Sequence, residues 1–264
     1  MIIKLTNEMT FSKELNSAIE IARKAGQILI DYYGRVRVDY KPDMSVVTEA
    51  DIESERVIKT QLSKLFPYHS LLGEETGYDD KLSDYIWVID PLDGTTNYVI
   101  KNPFFSVSIS LTYRNRPVLG VVYYPFQREL FFSEKDDGAY LNYKQIFVSK
   151  EESIENSVLT YCSGRDYDSL KQVANLFQRF KLKNKKFRQI GAASLELCYV
   201  ACGRTGGFLM PGVNPWDIAA GLIIVEEAGG ETSDFKGKRF YLNSDNLMAS
   251  NGRLHEKMLK IINS

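Results

Sequence analysis

Histidine is almost missing from this chain, with only His69 and His255 among 264 residues. A His-based triad or a His-rich zinc centre is nearly excluded by that inventory. Cysteine is as sparse: Cys162, Cys198 and Cys202 form an odd set without a pairing pattern. No disulfide framework is expected, and a reducing compartment is. Cys198 and Cys202 stand one helical turn apart, but without a neighbouring histidine they read as packed helix residues rather than a metal pair. Charge of one sign is lacking too, since 33 basic and 34 acidic residues leave a net charge of −1. No global field then favours nucleic acid or anionic lipid, so a negative substrate must be drawn by local charge or by metal. Long apolar runs are absent: nothing approaches a membrane span, and the N-terminal stretch with Lys4, Glu8 and Lys13 has no apolar core followed by a cleavage site. Together these absences predict a cytoplasmic protein with no nucleic-acid and no membrane partner.

What is present is a 44% hydrophobic composition, ample for one large domain or two intimately packed halves. No repeat, low-complexity tract or linker interrupts it. The stretch Tyr85 to Val99, YIWVIDPLDGTTNYV, carries the densest chemistry. Its aromatic and β-branched opening predicts a buried strand that delivers Asp90 to its C-terminal end. Asp93 is expected three residues later, across a turn made by Pro91 and Gly94. Two carboxylates and the Leu92 carbonyl can then converge, and oxygen-only ligands suit Mg2+ before Zn2+. Gly94, Thr95 and Thr96 leave backbone N–H groups free for an anion. Cation site beside anion site reads as a place for a phosphate ester. The plainer alternative is an Asx-turn whose aspartates cap backbone groups.

Around this stretch, apolar spacing predicts a helix from about Ser12 to Tyr33. Thr48 and Asp51 have capping-box spacing, so a second helix should begin there and bury Ile52, Val57, Ile58, Leu62 and Leu65. Ser70 to Glu75 reads as a strand entering a turn, and Gly77 to Ser83 as a polar loop that could border the site. Strands are expected over Phe104–Leu111, Val118–Tyr124 and Glu129–Ser133, with turns at Asn115–Pro117 and Pro125–Gln127, followed by a hairpin over Gly138–Val148. From Glu151 onward strand and helix alternate: strands at Ser157–Tyr161 and Phe187–Ile190, helices at Ser169–Phe180 and Ala192–Ala201, and a basic turn over Lys181–Lys186. Gly191, Ala192, Ala193 and Ser194 stand at a helix N-terminus, where free N–H groups favour an anion or a substrate hydroxyl. Gly207–Met210 is a strand leading to a helix begun by Asp217, with a final strand at Asn246–Asn251 and a final helix at Leu254–Ile262. The pattern is α/β (α+β), layered sheets and helices with an antiparallel-rich middle.

DPLDGTTN, together with Gly73-Glu74-Glu75 and Trp216-Asp217-Ile218-Ala219-Ala220-Gly221 through Glu227-Ala228-Gly229-Gly230, resembles the inositol monophosphatase family of Mg2+-dependent, lithium-sensitive phosphatases. The likeness spans nearly the whole chain. It implies a five-layered αβαβα sugar-phosphatase sandwich, residues 1–264 as one unit with possible halves 1–150 and 151–264, and a homodimer. It makes Glu74, Asp90, Asp93, Asp217 and the Leu92 carbonyl the metal ligands, with Glu75 just outside them. Four crowded carboxylates call for two or three ions rather than one. The resemblance also implies that Thr95, assisted by Asp43 or, in reserve, Ser45, orients the attacking water, and that Gly191, Ala192 and Ala193 line the substrate pocket. The loop Lys41, Asp43, Ser45, Val47, Thr48 is similar to that of the phosphoadenosine and nucleotide phosphatases. Where inositol-specific members place a glutamate that reaches the sugar hydroxyls, this chain has Met210. Inositol-1-phosphate leads the substrates implied, followed by fructose-1,6-bisphosphate, 3'-phosphoadenosine 5'-phosphate and histidinol phosphate. A catalytically inactive metal- or phosphate-binding regulator is the reading of another class.

Overall fold

Helix formation begins at Ser12, whose Oγ accepts the Leu15 N–H at 3.1 Å and starts α1 (Lys13–Tyr32). Leu15, Ala18, Ile19, Ala22, Ala25 and Leu29 are buried along one stripe, as their spacing predicts. Each such Leu or Ile contributes about 1.5–3 kcal/mol by leaving water. The computed structural model describes residues 11–41, 46–242 and 244–264. Asp43 and Ser45 lie outside the described residues. A small antiparallel pair, β1 (Val38–Tyr40) and β2 (Val46–Thr48), leads into α2 (Glu49–Leu65), where the expected capping box of Thr48 and Asp51 is formed. Ile52 and Leu65, expected inside, are exposed. The buried face runs instead through Asp51, Ser54, Glu55, Ile58 and Leu62, and Ile52 lies about 100° around the helix from Asp51. Three of those five residues are polar, which is why apolar spacing alone misplaced the face.

A large sheet follows from β3 (Ser70–Gly73), β4 (Gly77–Asp79), β5 (Tyr85–Asp93), β6 (Ser106–Tyr113), β7 (Arg116–Tyr124), β8 (Glu129–Glu134), β9 (Ala139–Leu141) and β10 (Lys144–Ile146), with the short helix α3 (Thr95–Val99) after β5. The spatial order is β10-β9-β8-β7-β6-β5-β3-β4, antiparallel except for β3 beside β5. Gly77–Asp79, read as loop, is the edge strand. The turn expected at Asn115–Pro117 sits one residue earlier: Arg114 and Asn115 both take positive φ, and Arg116 already pairs with Tyr113. That is the two-residue hairpin geometry whose twist matches the strands.

The remaining chain forms β11 (Leu159–Tyr161), α4 (Tyr167–Lys183), α5 (Ala193–Ala201), β12 (Gly207–Pro211), α6 (Pro215–Glu227), β13 (Glu231–Ser233), β14 (Asn246–Ser250) and α7 (His255–Ile262). The second sheet has the order β11-β12-β14-β13. Phe187–Ile190 makes only a bridge of Arg188 to Thr160 rather than a strand, and Lys181–Lys183 continue α4 rather than turning. Helices α1 and α2 pack on one face of the large sheet, α5 and α6 lie between the two sheets, and α4 and α7 meet on the outer side of the small one. Three apolar clusters fill the interfaces between these layers. The result is the five-layered αβαβα sandwich, a mixed α/β fold. Among the described residues no helix is long and apolar enough to cross a membrane.

Candidate active site

Strand β5 does not stop at Asp90. It runs on to Asp93 through a register shift against β6, where Asp90 faces Ser108 and Asp93 faces Ser106. Pro91 sits inside this irregularity, where the missing N–H costs no ladder bond. The expected turn is thus a bulged strand end, and both carboxylates are carried by a rigid element. Asp90 Oδ1 accepts the Leu92 N–H at 3.0 Å, so part of the Asx-type contact is made as well. Gly94 then takes φ +90°, and a Cβ there would come within 2.9 Å of the Phe104 carbonyl. Only glycine meets both demands. It starts α3, which places the Thr95 hydroxyl 3.0 Å from the Leu92 carbonyl.

Helix α2 supplies two acids that sequence reading assigned to capping or overlooked. Asp51 is fully buried; its Oδ2 accepts the Thr48 N–H at 2.8 Å and the Thr48 hydroxyl at 2.6 Å, while Oδ1 faces the Thr95 hydroxyl at 3.4 Å. Burial pushes its carboxyl up to about 7, against the pull of the two Thr48 donors. One turn along, buried Glu55 accepts the Glu75 and Thr76 N–H groups at 2.9 and 3.0 Å and fixes the turn that presents Glu74. Glu74 and Glu75 share the Lys41 ammonium, at 3.1 and 2.7 Å.

Asp217 arrives from α6, which Asn214 caps and Pro215 begins, so the aspartate is its third residue rather than its first. Asn214 Nδ2 donates to Asp217 Oδ2 at 3.1 Å. Across from it, Asp93 accepts the Ala193 and Ser194 N–H groups at 3.1 and 2.8 Å and the Ser194 hydroxyl at 2.5 Å. The N-terminus of α5, expected to face a ligand with free amides, is therefore spent on the protein's own carboxylate. Ala192 is buried against Gly94 and stands outside the cavity.

These elements enclose a cavity of about 1000 Å3. Glu74, Asp90, Leu92, Asp93 and Asp217 all line it, from three separate stretches of chain. Gly94, Thr95, Thr96, Gly191, Ala193 and Met210 line it too. The segment Gly77–Ser83 does not border it. Burial, and then the charges of Glu74, Asp93 and Asp217, push the Asp90 carboxyl well above the usual range. Burial likewise raises Asp217 to about 7, and raises Asp93 to about 6 against the Ser194 and Ala193 donors. Among the described residues no three His, Cys, Asp or Glu side chains are grouped so as to hold one ion, and each acid bonds a protein neighbour instead. The donor chemistry nevertheless fits a hard divalent cation: carboxylate and carbonyl oxygens only, with a single ammonium among them.

The chain matches the model of the inositol monophosphatase family over residues 12–264. It is 38% identical over 251 residues to a fructose-1,6-bisphosphatase/inositol-1-monophosphatase of Thermotoga maritima, covering 94% of this chain and 95% of that protein. It is 40% identical over 258 residues to Nus factor SuhB of Pasteurella multocida, with the same coverage. The solved structure of a Thermotoga maritima IMPase superposes with a TM-score of 0.88 at 36% identity, over 96% of this chain and 97% of that one. Extragenic suppressor protein suhB from Bartonella henselae gives 0.89 at 33% identity, over 95% and 98%. With these likenesses running the length of the fold and through every element that bears an acid of the cavity, the chain belongs to the inositol monophosphatase family, a branch of the Mg2+-dependent phosphomonoesterases.

Proposed function

We propose that the protein hydrolyses the phosphate monoester of a small polyol, with inositol-1-phosphate first among substrates, by direct attack of water and without a covalent intermediate. The observation that carries this is the meeting of Glu74, Asp90, Asp93, Thr95 and Asp217 around one cavity. In this reading Glu74, Asp90, the Leu92 carbonyl, Asp93 and Asp217 hold two or three Mg2+ ions. Bound there, the metal supplies an acidified water and a counter-charge for the phosphoryl oxygens and the departing alkoxide. The chain does the rest. Thr95 Oγ1 accepts a hydrogen bond from the attacking water, and with its own proton turned from the Leu92 carbonyl to Asp51 Oδ1 it passes that proton to Asp51 as it takes one from the water. In this reading Asp51 supports Thr95, while Asp43, expected in that role, lies outside the described residues. Gly94, Thr95 and Thr96 seat the phosphate, while Gly191, Ala193 and Met210 face the alcohol. A homodimer belongs to the same reading, and light scattering tests it.

One observation favours a second substrate. Met210 is buried in the cavity wall and places a thioether where a carboxylate would select inositol hydroxyls. A site so furnished accepts fructose-1,6-bisphosphate as well, the pairing that the Thermotoga maritima relative's name carries. Phosphate release from inositol-1-phosphate, fructose-1,6-bisphosphate, phosphoadenosine phosphate and histidinol phosphate ranks these. Asp90→Asn and Asp217→Asn should each remove most turnover at saturating Mg2+ with circular dichroism unchanged. Near-parental rates in either variant, or full activity after exhaustive chelation, overturn the proposal.

A further inference from the structure

Glu196 lies outside the reaction described above, yet its burial beside the cavity is costly. It is fully buried on α5, and its Oε2 atom makes no close hydrogen bond, although the buried Thr160 hydroxyl faces the carboxyl. A buried carboxylate so thinly served is expensive to keep. Its other oxygen is busy: Oε1 accepts the Gly191 N–H at 2.8 Å, the Ile190 N–H at 3.2 Å and the Cys162 thiol at 3.2 Å. The carbonyls of the same two residues are held by Asn97, whose Nδ2 lies 2.9 Å from the Ile190 oxygen and 3.2 Å from that of Gly191, so the Ile190–Gly191 peptide is gripped on both sides. Gly191 is at φ +95°, and a Cβ there would press on the Asn97 amide at 3.1 Å. Ile190, Gly191 and Cys162 all line the cavity. Without this grip the Gly191 peptide has no ladder partner to define it, because the expected strand through Phe187–Ile190 shrinks to one bridge at Arg188.

We infer that Glu196 is a positioning residue: clamped against Asn97, it fixes the wall at Ile190 and Gly191 that receives the alcohol half of the substrate, and so sets affinity for the polyol and not for the phosphate. The placement supports this division. Asp93 anchors the next two amides, of Ala193 and Ser194, so the phosphate side of the segment is secured without Glu196. Burial raises the Glu196 carboxyl to about 7, against its Gly191 and Cys162 donors, which means the fold tolerates an unfavourable charge to keep an acceptor there. Glutamine retains an acceptor oxygen of the same reach; alanine retains none.

The inference rests on the phosphatase reading, so the experiment has one arm that does not. Amide hydrogen exchange in Glu196→Ala should rise about tenfold or more at Ile190 and Gly191 but not at Ala193 and Ser194, and Glu196→Gln should restore protection. Equal exchange at Ile190 and Gly191 in all three proteins overturns the clamp whether or not the chain is an enzyme. In the second arm, Glu196→Ala should raise KM for inositol-1-phosphate about tenfold with kcat within about threefold. KM for p-nitrophenyl phosphate and inhibition by inorganic phosphate should stay within about twofold, and Glu196→Gln should return KM toward the parent. Parallel shifts for both esters, or none for either, overturn the affinity role. A parent that hydrolyses neither ester refutes the phosphatase reading and the affinity role together, leaving the exchange arm to decide the clamp.

Discussion

At the scale of single residues, the Thr95 hydroxyl has one proton and two acceptors competing for it, the Leu92 carbonyl at 3.0 Å and Asp51 Oδ1 at 3.4 Å. Whichever takes the proton, the threonine lone pairs stay directed away from both, toward the cavity that Thr95 lines. An attacking water can donate only to an oxygen left in that state. Thr95→Val removes the acceptor and Asp51→Asn removes the charge behind it, so each should lower kcat by about 10² to 10⁴ with KM little changed. Thr95→Ser, which keeps the hydroxyl, should retain most activity. Steady-state assays at fixed saturating Mg2+ decide it, and a Thr95→Val enzyme within a few-fold of the parent would exclude the role. Asp51 also gives a pH signature. Its carboxyl is raised to about 7 in the cation-free protein, and a neighbouring divalent ion favours the ionised form. The acid limb of kcat should therefore fall at or below about 7 and flatten in Asp51→Asn.

At the scale of elements, Asp51 shows how one residue can serve a cap and a site. Oδ2 closes the capping box on Thr48, which spacing alone revealed; Oδ1 points 44 positions along the chain to Thr95, which no local pattern encodes. Reading the box correctly hid the second task. The usual partner in such a box is a longer Glu or Gln. A short Asp in the Glu or Gln position of the box, with Ser54 and Glu55 one turn on, was the available signal. Thr48→Ala should consequently do two things: cost about 1 kcal/mol of stability through the lost cap, and lower turnover by releasing Asp51. Thr48→Ser should spare both. Urea titration beside phosphate release would separate the effects, and a destabilised variant with parental kcat would show that Asp51 needs no help from its cap. The same limit explains the amides at the start of α5. Sequence reading found the helix N-terminus but not that Asp93, about a hundred positions earlier, already occupies it.

Across the whole molecule, the layering was legible because it follows from period and order: one apolar stripe on α1, alternating strands in the middle, then strand and helix in turn. What period cannot supply is the price of gathering the acids in one place. Asp51, Asp90, Asp93 and Asp217 all hold their protons more tightly in the fold than in water, chiefly through burial. A carboxyl raised on folding stabilises the native state most when it is protonated, below its unfolded value near 3.8, and that advantage is lost as pH climbs through the folded value, about 6 for Asp93 and about 7 for Asp51 and Asp217. Cation-free protein should therefore melt lower at pH 8 than at pH 5, by on the order of 5 °C. If the proposed ligands hold Mg2+, the ion binds them ionised and not protonated, so it should raise the melting temperature strongly at pH 8 and little at pH 5. At a hundredfold excess over its dissociation constant the gain is about 2.7 kcal/mol, enough to reverse the slope. Glu196, raised to about 7 but not itself among the proposed ligands, keeps its own small dependence in either condition. Scanning calorimetry in chelator and in Mg2+ at both pH values is the measurement. A melting temperature that ignores pH in chelator, or that Mg2+ raises equally at both, would mean the acids do not share the electrostatic burden that this fold assigns them.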